Sequence, residues 1–202
     1  MASSSLVSAR LLALALAGCA FSLAARAHAD TLIIRHAGDH SRYVFEAEPH
    51  LLLGLIDPPG PAYGTGIGVG FRGTVIVVPN GFVPTINNSI GIGFGADWVH
   101  YGSGGRSNCV VDQGPSGIRT CDTDSVSELW FPVVMQWNFY LSRQWSVFGE
   151  PGLAVRYQSV PGARNVNVDP QLYVGGRWHF SDQMTLTMRL GYPTFSVGVS
   201  FM

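Results

Sequence analysis

The residues of this chain that could do chemistry share one phase of an alternating pattern. Glu46, Glu48, Asp97, Glu128, Glu150 and Asp169, with Arg72, Arg156, Arg177 and Arg189, sit between apolar residues at every second position. A carboxylate or guanidinium shut away from water costs several kcal/mol unless an opposite charge meets it. This near-balanced set therefore reads as one built to pair with itself. Counting back from the polar turns at 142–144 and 181–183 brings Gln136, Glu150, Gly175 and Arg189 to about one level. Gly175 would leave room for Glu150 and Arg189 to meet. The expected site is a structural ion-pair cluster of Glu46, Glu48, Arg72, Gln136, Glu150, Arg177 and Arg189. The alternative use of the same residues is a narrow or gated pore.

Other chemistries find less support. A hydrolase needs a nucleophile, a histidine and an acid in mutual reach. His50 and Glu48 share one face of a strand about 7 Å apart; His100 lies near Ser103 and His179 near Ser181, and none completes a triad. Gly68-x-Gly70-x-x-Gly73 has the spacing of a dinucleotide fingerprint, which requires a strand-to-helix turn. Here the glycines continue the alternate face of a strand, so they read as small residues that let bulky neighbours fill a narrow interior. Cys109 and Cys121 lie in a polar, glycine-rich stretch, and a disulfide is the default reading for two such cysteines in an exported chain. No histidine or second cysteine pair accompanies them, so no metal site is expected, and no cofactor either. No basic cluster points to a nucleic-acid partner.

The elements that must position these residues are strands. From Leu129, every second residue is apolar: Phe131, Val133, Met135, Trp137, Phe139 and Leu141. After Ser142-Arg143-Gln144 the pattern restarts with Trp145, Val147, Gly149, Pro151, Leu153, Val155 and Tyr157. Period-two alternation on both sides of a short polar turn predicts an antiparallel hairpin. Each strand reaches the ~9–11 residues that a tilted strand needs to cross a bilayer. The same pattern predicts strands over 42–55, 62–78, 87–101, 166–180, from 184 and up to 201, eight in all. Loops are expected over 102–127, which holds both cysteines, and over 158–165. Pro49, Pro132, Pro151 and Pro170 fall inside predicted strands, where proline removes a ladder donor. Either bulges absorb them or the strand limits are misplaced.

Composition agrees with an apolar exterior. Of 202 residues only 12% are charged, against roughly 25% in ordinary soluble domains, and every basic residue is arginine. The first 29 residues read as an export signal: Arg10, then an apolar run over 11–23, then Ala27-His28-Ala29 as a cleavage site. Leu16-Ala17-Gly18-Cys19 also matches a lipobox, which would lipidate Cys19; cleavage after Ala29 is favoured because 20–25 stays apolar. Residues 30–41 are then a periplasmic leader and 42–202 the barrel.

Over 42–202 the pattern resembles the small eight-stranded outer-membrane barrels of Gram-negative bacteria, the class that includes the membrane domain of outer-membrane protein A. The resemblance implies an all-β, eight-stranded antiparallel up-and-down transmembrane barrel, with long loops outside and tight turns in the periplasm. It implies outer-membrane lipid as the surrounding partner. The last strand would be the signal read by the barrel-assembly machinery, with Phe201 penultimate and Met202 last. The expected role is structural or surface-interacting, without catalysis, with a surface ligand at the external loops as the open partner. The competing reading is a soluble, lipocalin-like ligand-binding barrel, which would turn its apolar face inward.

Overall fold

In the computed structural model, which describes residues 36–55, 64–102, 125–160 and 163–202, the alternation becomes a closed wall. Eight strands follow in chain order: β1 (Phe45–Gly54), β2 (Gly66–Val78), β3 (Asn88–Tyr101), β4 (Val126–Tyr140), β5 (Trp145–Val160), β6 (Ala163–His179), β7 (Met184–Tyr192) and β8 (Phe195–Phe201). Each pairs antiparallel with the next, and β1 pairs with β8, so the sheet closes on itself in up-and-down order. Closure removes the free edges that an open sheet would expose.

The two faces separate as the period-two pattern requires. Leu51, Val69, Phe94, Val133, Leu153, Leu172, Val174 and Leu190 are all exposed on the outside. Glu46, Glu48, Arg72, Asp97, Glu150, Arg177 and Arg189 are buried within. A soluble barrel would need the opposite arrangement.

All four prolines lie within strands, and no bulge accompanies any of them. Pro49 falls in a break of the β1–β8 ladder, between the pairs Ala47 with Phe201 and His50 with Gly198. Pro132 falls in a break of β3–β4, between Phe94 with Val133 and Asp97 with Trp130. Pro151 falls in a break of β4–β5, between Val134 with Gly152 and Trp137 with Gly149. The register is the same on both sides of each break. Pro170 lies beyond the first β6–β7 pair, Leu172 with Tyr192, where no β7 residue faces it. The wall tolerates a missing donor by leaving a local gap in one ladder, at no cost in register. The one register shift among the described ladders is at Ile76/Val78, away from any proline inside a strand.

One expected loop is not a loop. Residues 158–160 and 163–165 continue β5 and β6, with Gln158 paired to Asn165, Ser159 to Arg164 and Val160 to Ala163. The polar run of Gln158 and Ser159, and of Arg164 and Asn165, hid the strand, because these side chains lie where neither lipid nor a packed interior demands alternation. β5 and β6 therefore form one long hairpin, while β7 and β8 end early. β1 begins at Phe45 and β2 at Gly66, later than the sequence pattern suggested.

Among the described residues, side chains enter the interior at both ends. Near the end away from the short turns, Leu52, Val99, Tyr101 and Val126 form an apolar cluster. Gly54 and Gly66 sit against the Tyr101 ring, and a Cβ on either would collide with it. At the turn end, residues 36–44 lie at the mouth. The His40 ring stacks on Tyr140 with centroids 4.2 Å apart, and its Nδ1 is 2.7 Å from the Asn87 side-chain oxygen. Burial, and next the Glu46 carboxylate, hold the Tyr43 phenol there well above its ordinary pKa.

Candidate functional site

Seven consecutive strands bring these polar and charged residues to the barrel interior. Glu46, Glu48 and His50 come from alternate positions of β1, Arg72 from β2, Asp97 from β3, Gln136 from β4, Glu150 from β5, Arg177 from β6 and Arg189 from β7. Their inward phase is fixed by the apolar residues between them, which must face outward.

Glu150 and Arg189 meet at the centre. Arg189 donates from Nε to Glu150 Oε2 at 2.9 Å and from Nη2 to Glu48 Oε2 at 2.9 Å, and Nη1 also donates to Glu48. Gln136 donates its amide to Glu150 Oε1 at 2.6 Å. Arg72 links Glu150, at 3.2 Å, to Asp97, at 3.1 Å. Asp97 Oδ1 in turn lies 2.8 Å from His50 Nε2. Ser200 adds a hydroxyl donor to Glu48 at 2.9 Å. These side chains are almost wholly excluded from solvent, as low-dielectric pairing requires.

Arg177 and Glu46 form a neighbouring layer, 2.9 Å apart, toward the turn end. Arg177 also donates to Asn138, which leads through Ser89 to Tyr140. The Phe148 ring joins the two layers: the Arg177 guanidinium lies 4.6 Å from its centroid and that of Arg189 5.2 Å. Such cation–π contacts favour a desolvated guanidinium. Gly175 makes room for this ring. A Cβ at Gly175 would strike Phe148, so its role is to admit an aromatic ring rather than to clear a path between Glu150 and Arg189.

A third group sits at the far rim. Arg156 pairs with Glu128 at 3.1 Å and Asp169 at 2.7 Å, and its guanidinium lies 5.1 Å from the Trp130 ring. Arg156 and Asp169 keep about a fifth of their side-chain surface.

All seven residues expected in the lumen are buried there. Five of them, Glu48, Arg72, Gln136, Glu150 and Arg189, share one network; Arg177 and Glu46 form the adjoining layer. Asp97 and His50 complete the central network. The inward phase of β1 was the available signal for His50, whereas its partner on β3 depends on register between strands. Asn138 is a further link whose polarity within the alternate phase pointed inward.

The histidine–hydroxyl contacts differ from those the sequence suggested. His100 meets Ser127 at 2.9 Å on the exposed surface, and His179 meets Ser146 at 2.9 Å and Thr185 at 3.0 Å. Neither imidazole meets a carboxylate among the described residues, so neither contact is a triad. Cys109, Cys121, Cys19 and Ala29 lie outside the described residues.

What decides the environment of this barrel is the contrast between its faces. An exterior of valine, leucine, phenylalanine and tryptophan surrounds a lumen of paired ions. Trp98, Trp145 and Trp178 are exposed near strand ends, as membrane-interface aromatics are. The chain is a transmembrane β-barrel.

Comparison with known proteins returns similar architecture at very low sequence identity. No family model matches the chain, and no curated protein matches it. A designed transmembrane β-barrel aligns with a TM-score of 0.48 and 10% identity, over 80% of this chain and 98% of the other. The attachment invasion locus protein Ail of Yersinia pestis, in complex with the heparin analogue sucrose octasulfate, aligns with a TM-score of 0.45 and 7% identity, over 78% of this chain and 95% of Ail. Ail in a phospholipid bilayer nanodisc gives a TM-score of 0.43 and 8% identity, over 79% and 99%.

Proposed function

We propose that the protein is an outer-membrane barrel whose lumen is a structural ion lock and whose work is done at its external end, by contact with other surfaces. The observation that carries this reading is the mismatch in strand length around the barrel. β5 and β6 run on to Val160 and from Ala163, while β7 stops at Tyr192 and β8 starts at Phe195. The edge of β6 from Ala163 to Gln171 therefore has no β7 partner among the described residues. The short turns at 142–144 and 181–183 lie at the opposite end, which in this reading faces the periplasm.

In this reading the segment 102–127, closed by a Cys109–Cys121 disulfide, and the β5–β6 hairpin are the external contact elements. The leader 30–41 lies in the periplasm after cleavage behind Ala29. The strand Phe195–Phe201 engages the assembly machinery during insertion. Apolar side chains near the external end and ion pairs behind them among the described residues support this reading over a pore. A catalytic role has no support, since no nucleophile, base and acid come together among the described residues.

The test is surface proteolysis of intact cells combined with gel migration of the outer-membrane fraction. Cleavage confined to 102–127 or 160–163, with a heat-modifiable barrel core left in the membrane, is the expected result. Release of the protein by osmotic shock, or cleavage at 142–144 from outside, would overturn the reading.

A further inference from the structure

The strands turn apolar side chains outward, but Gly73, Gly149 and Gly176 also take outward positions. At Gly73 the space is filled: a Cβ would meet the Phe45 ring at 3.2 Å and the Phe94 ring at 3.3 Å. At Gly149 and Gly176 it would meet nothing within 4 Å. Gly149 pairs with Val174 and Gly176 with Val147, so the two openings adjoin diagonally across β5 and β6.

Together they open a groove of about 640 Å³ in the outer wall. Phe139 and Val147 bound it beside the short turn at 142–144, and Leu190 and Phe195 bound its other end, with Val174 and Met188 between. Phe148, Gly175 and Arg189 lie at its floor. The Arg189 guanidinium is engaged inside by Glu48 and Glu150, so the groove presents no unpaired charge. From β4 to β8 it crosses five strands, which makes it about 19 Å long. That compares with the ~15 Å that the chains of one leaflet fill in a ~30 Å core.

We propose that this groove binds one acyl chain of a phospholipid from the leaflet at the turn end. It is continuous with the lipid-facing wall: Val147, Val174 and Leu190 on its rim are all exposed. Apolar surfaces in a bilayer gain nothing by leaving lipid, so packing decides what covers them. An unfilled groove forfeits the dispersion contacts of its lining, and a flexible chain can follow its oblique course. The wall of a second barrel is convex and would rest on the rim, whereas a stable protein contact takes roughly 800 Å² per partner. That the chain belongs to a phospholipid rests on the orientation proposed for the barrel, with the turn end in the periplasm. The groove itself does not depend on that orientation.

Photolabelling of the full barrel in phosphatidylcholine nanodiscs, with a diazirine on the lipid acyl chain, tests the proposal. Label mapped by peptide mass spectrometry should fall several-fold more heavily on Val174, Met188 and Leu190 than on Leu51, Val69 and Val133, which are exposed elsewhere on the wall. G149L and G176L each place a side chain in open space, and should spread the label evenly while the heat-modifiable folded band persists. Even labelling of the wild type overturns the proposal, whether or not the variants fold. A barrel dimer trapped by a disulfide through M188C overturns it as well. Failure of the proposed orientation would look different: cleavage at 142–144 from outside the cell would reverse the leaflet and leave the labelling pattern in place.

Discussion

The central ion network and the Arg156 group at the rim contain the same chemistry in different surroundings. In the centre, every acid meets an arginine or a histidine whose side chain is at most 4% exposed. At the rim, Arg156 and Asp169 keep about a fifth of their surface. Water screens the Arg156–Asp169 pair, and exposed ion pairs contribute about 0–1 kcal/mol. In the centre, removing one partner strands the other in low dielectric. The lesson is that position along the axis, more than the pairing itself, sets what each charge is worth.

The largest expected effect comes from emptying the centre. Replacing Arg189 with Met leaves Glu48 and Glu150 without their shared cation and should lower unfolding free energy by about 3–5 kcal/mol, measured by urea unfolding of the barrel in lipid vesicles. An arginine placed on the other side of the same wall sharpens the contrast. V174R puts an unpartnered charge on the exposed apolar face, mid-strand in β6, and should cost about 2–4 kcal/mol in the same assay. G175V presses on Phe148, on whose ring Arg177 and Arg189 both rest. Overpacking of that kind costs about 1–3 kcal/mol, and a shift in the aromatic circular dichroism should accompany it. The smallest effect is expected at the rim. D169N, which leaves Arg156 paired with the buried Glu128, should change stability by about 0–1 kcal/mol, and less as salt is raised. A D169N loss as large as that of R189M would erase the distinction between the two regions.

Much of the fold could be read from the chain because both solvents of a membrane barrel enforce the same period. Lipid outside and a narrow lumen inside leave no position of a spanning strand unassigned, so Leu129 to Tyr157 declared themselves. The pattern failed where that double constraint ends. Gln158, Ser159, Arg164 and Asn165 are polar in succession and carry no alternation, so their pairing depends on β5 and β6 meeting. The prolines were misleading because a local gap in one ladder is invisible in a linear sequence. Within the lumen, the inward phase named Glu150 and Arg189, but partners such as Asp97 for His50 follow from register between strands. The role of Gly175 depends on Phe148, an aromatic in the polar phase, and only the folded wall brings the two together. Leu52, Val99 and Val126 broke the polar phase of their strands, and they prove to fill the end of the barrel away from the short turns.

The most direct test of lipid outside and ions within uses tryptophan fluorescence in vesicles of brominated lipid, with variants that retain one tryptophan each. Trp98 and Trp178 are 45% and 42% exposed on the wall, whereas Trp130 is 1% exposed behind it. Strong quenching of Trp98 and Trp178 with Trp130 left bright is the predicted result; quenching of Trp130 equal to theirs would contradict the account.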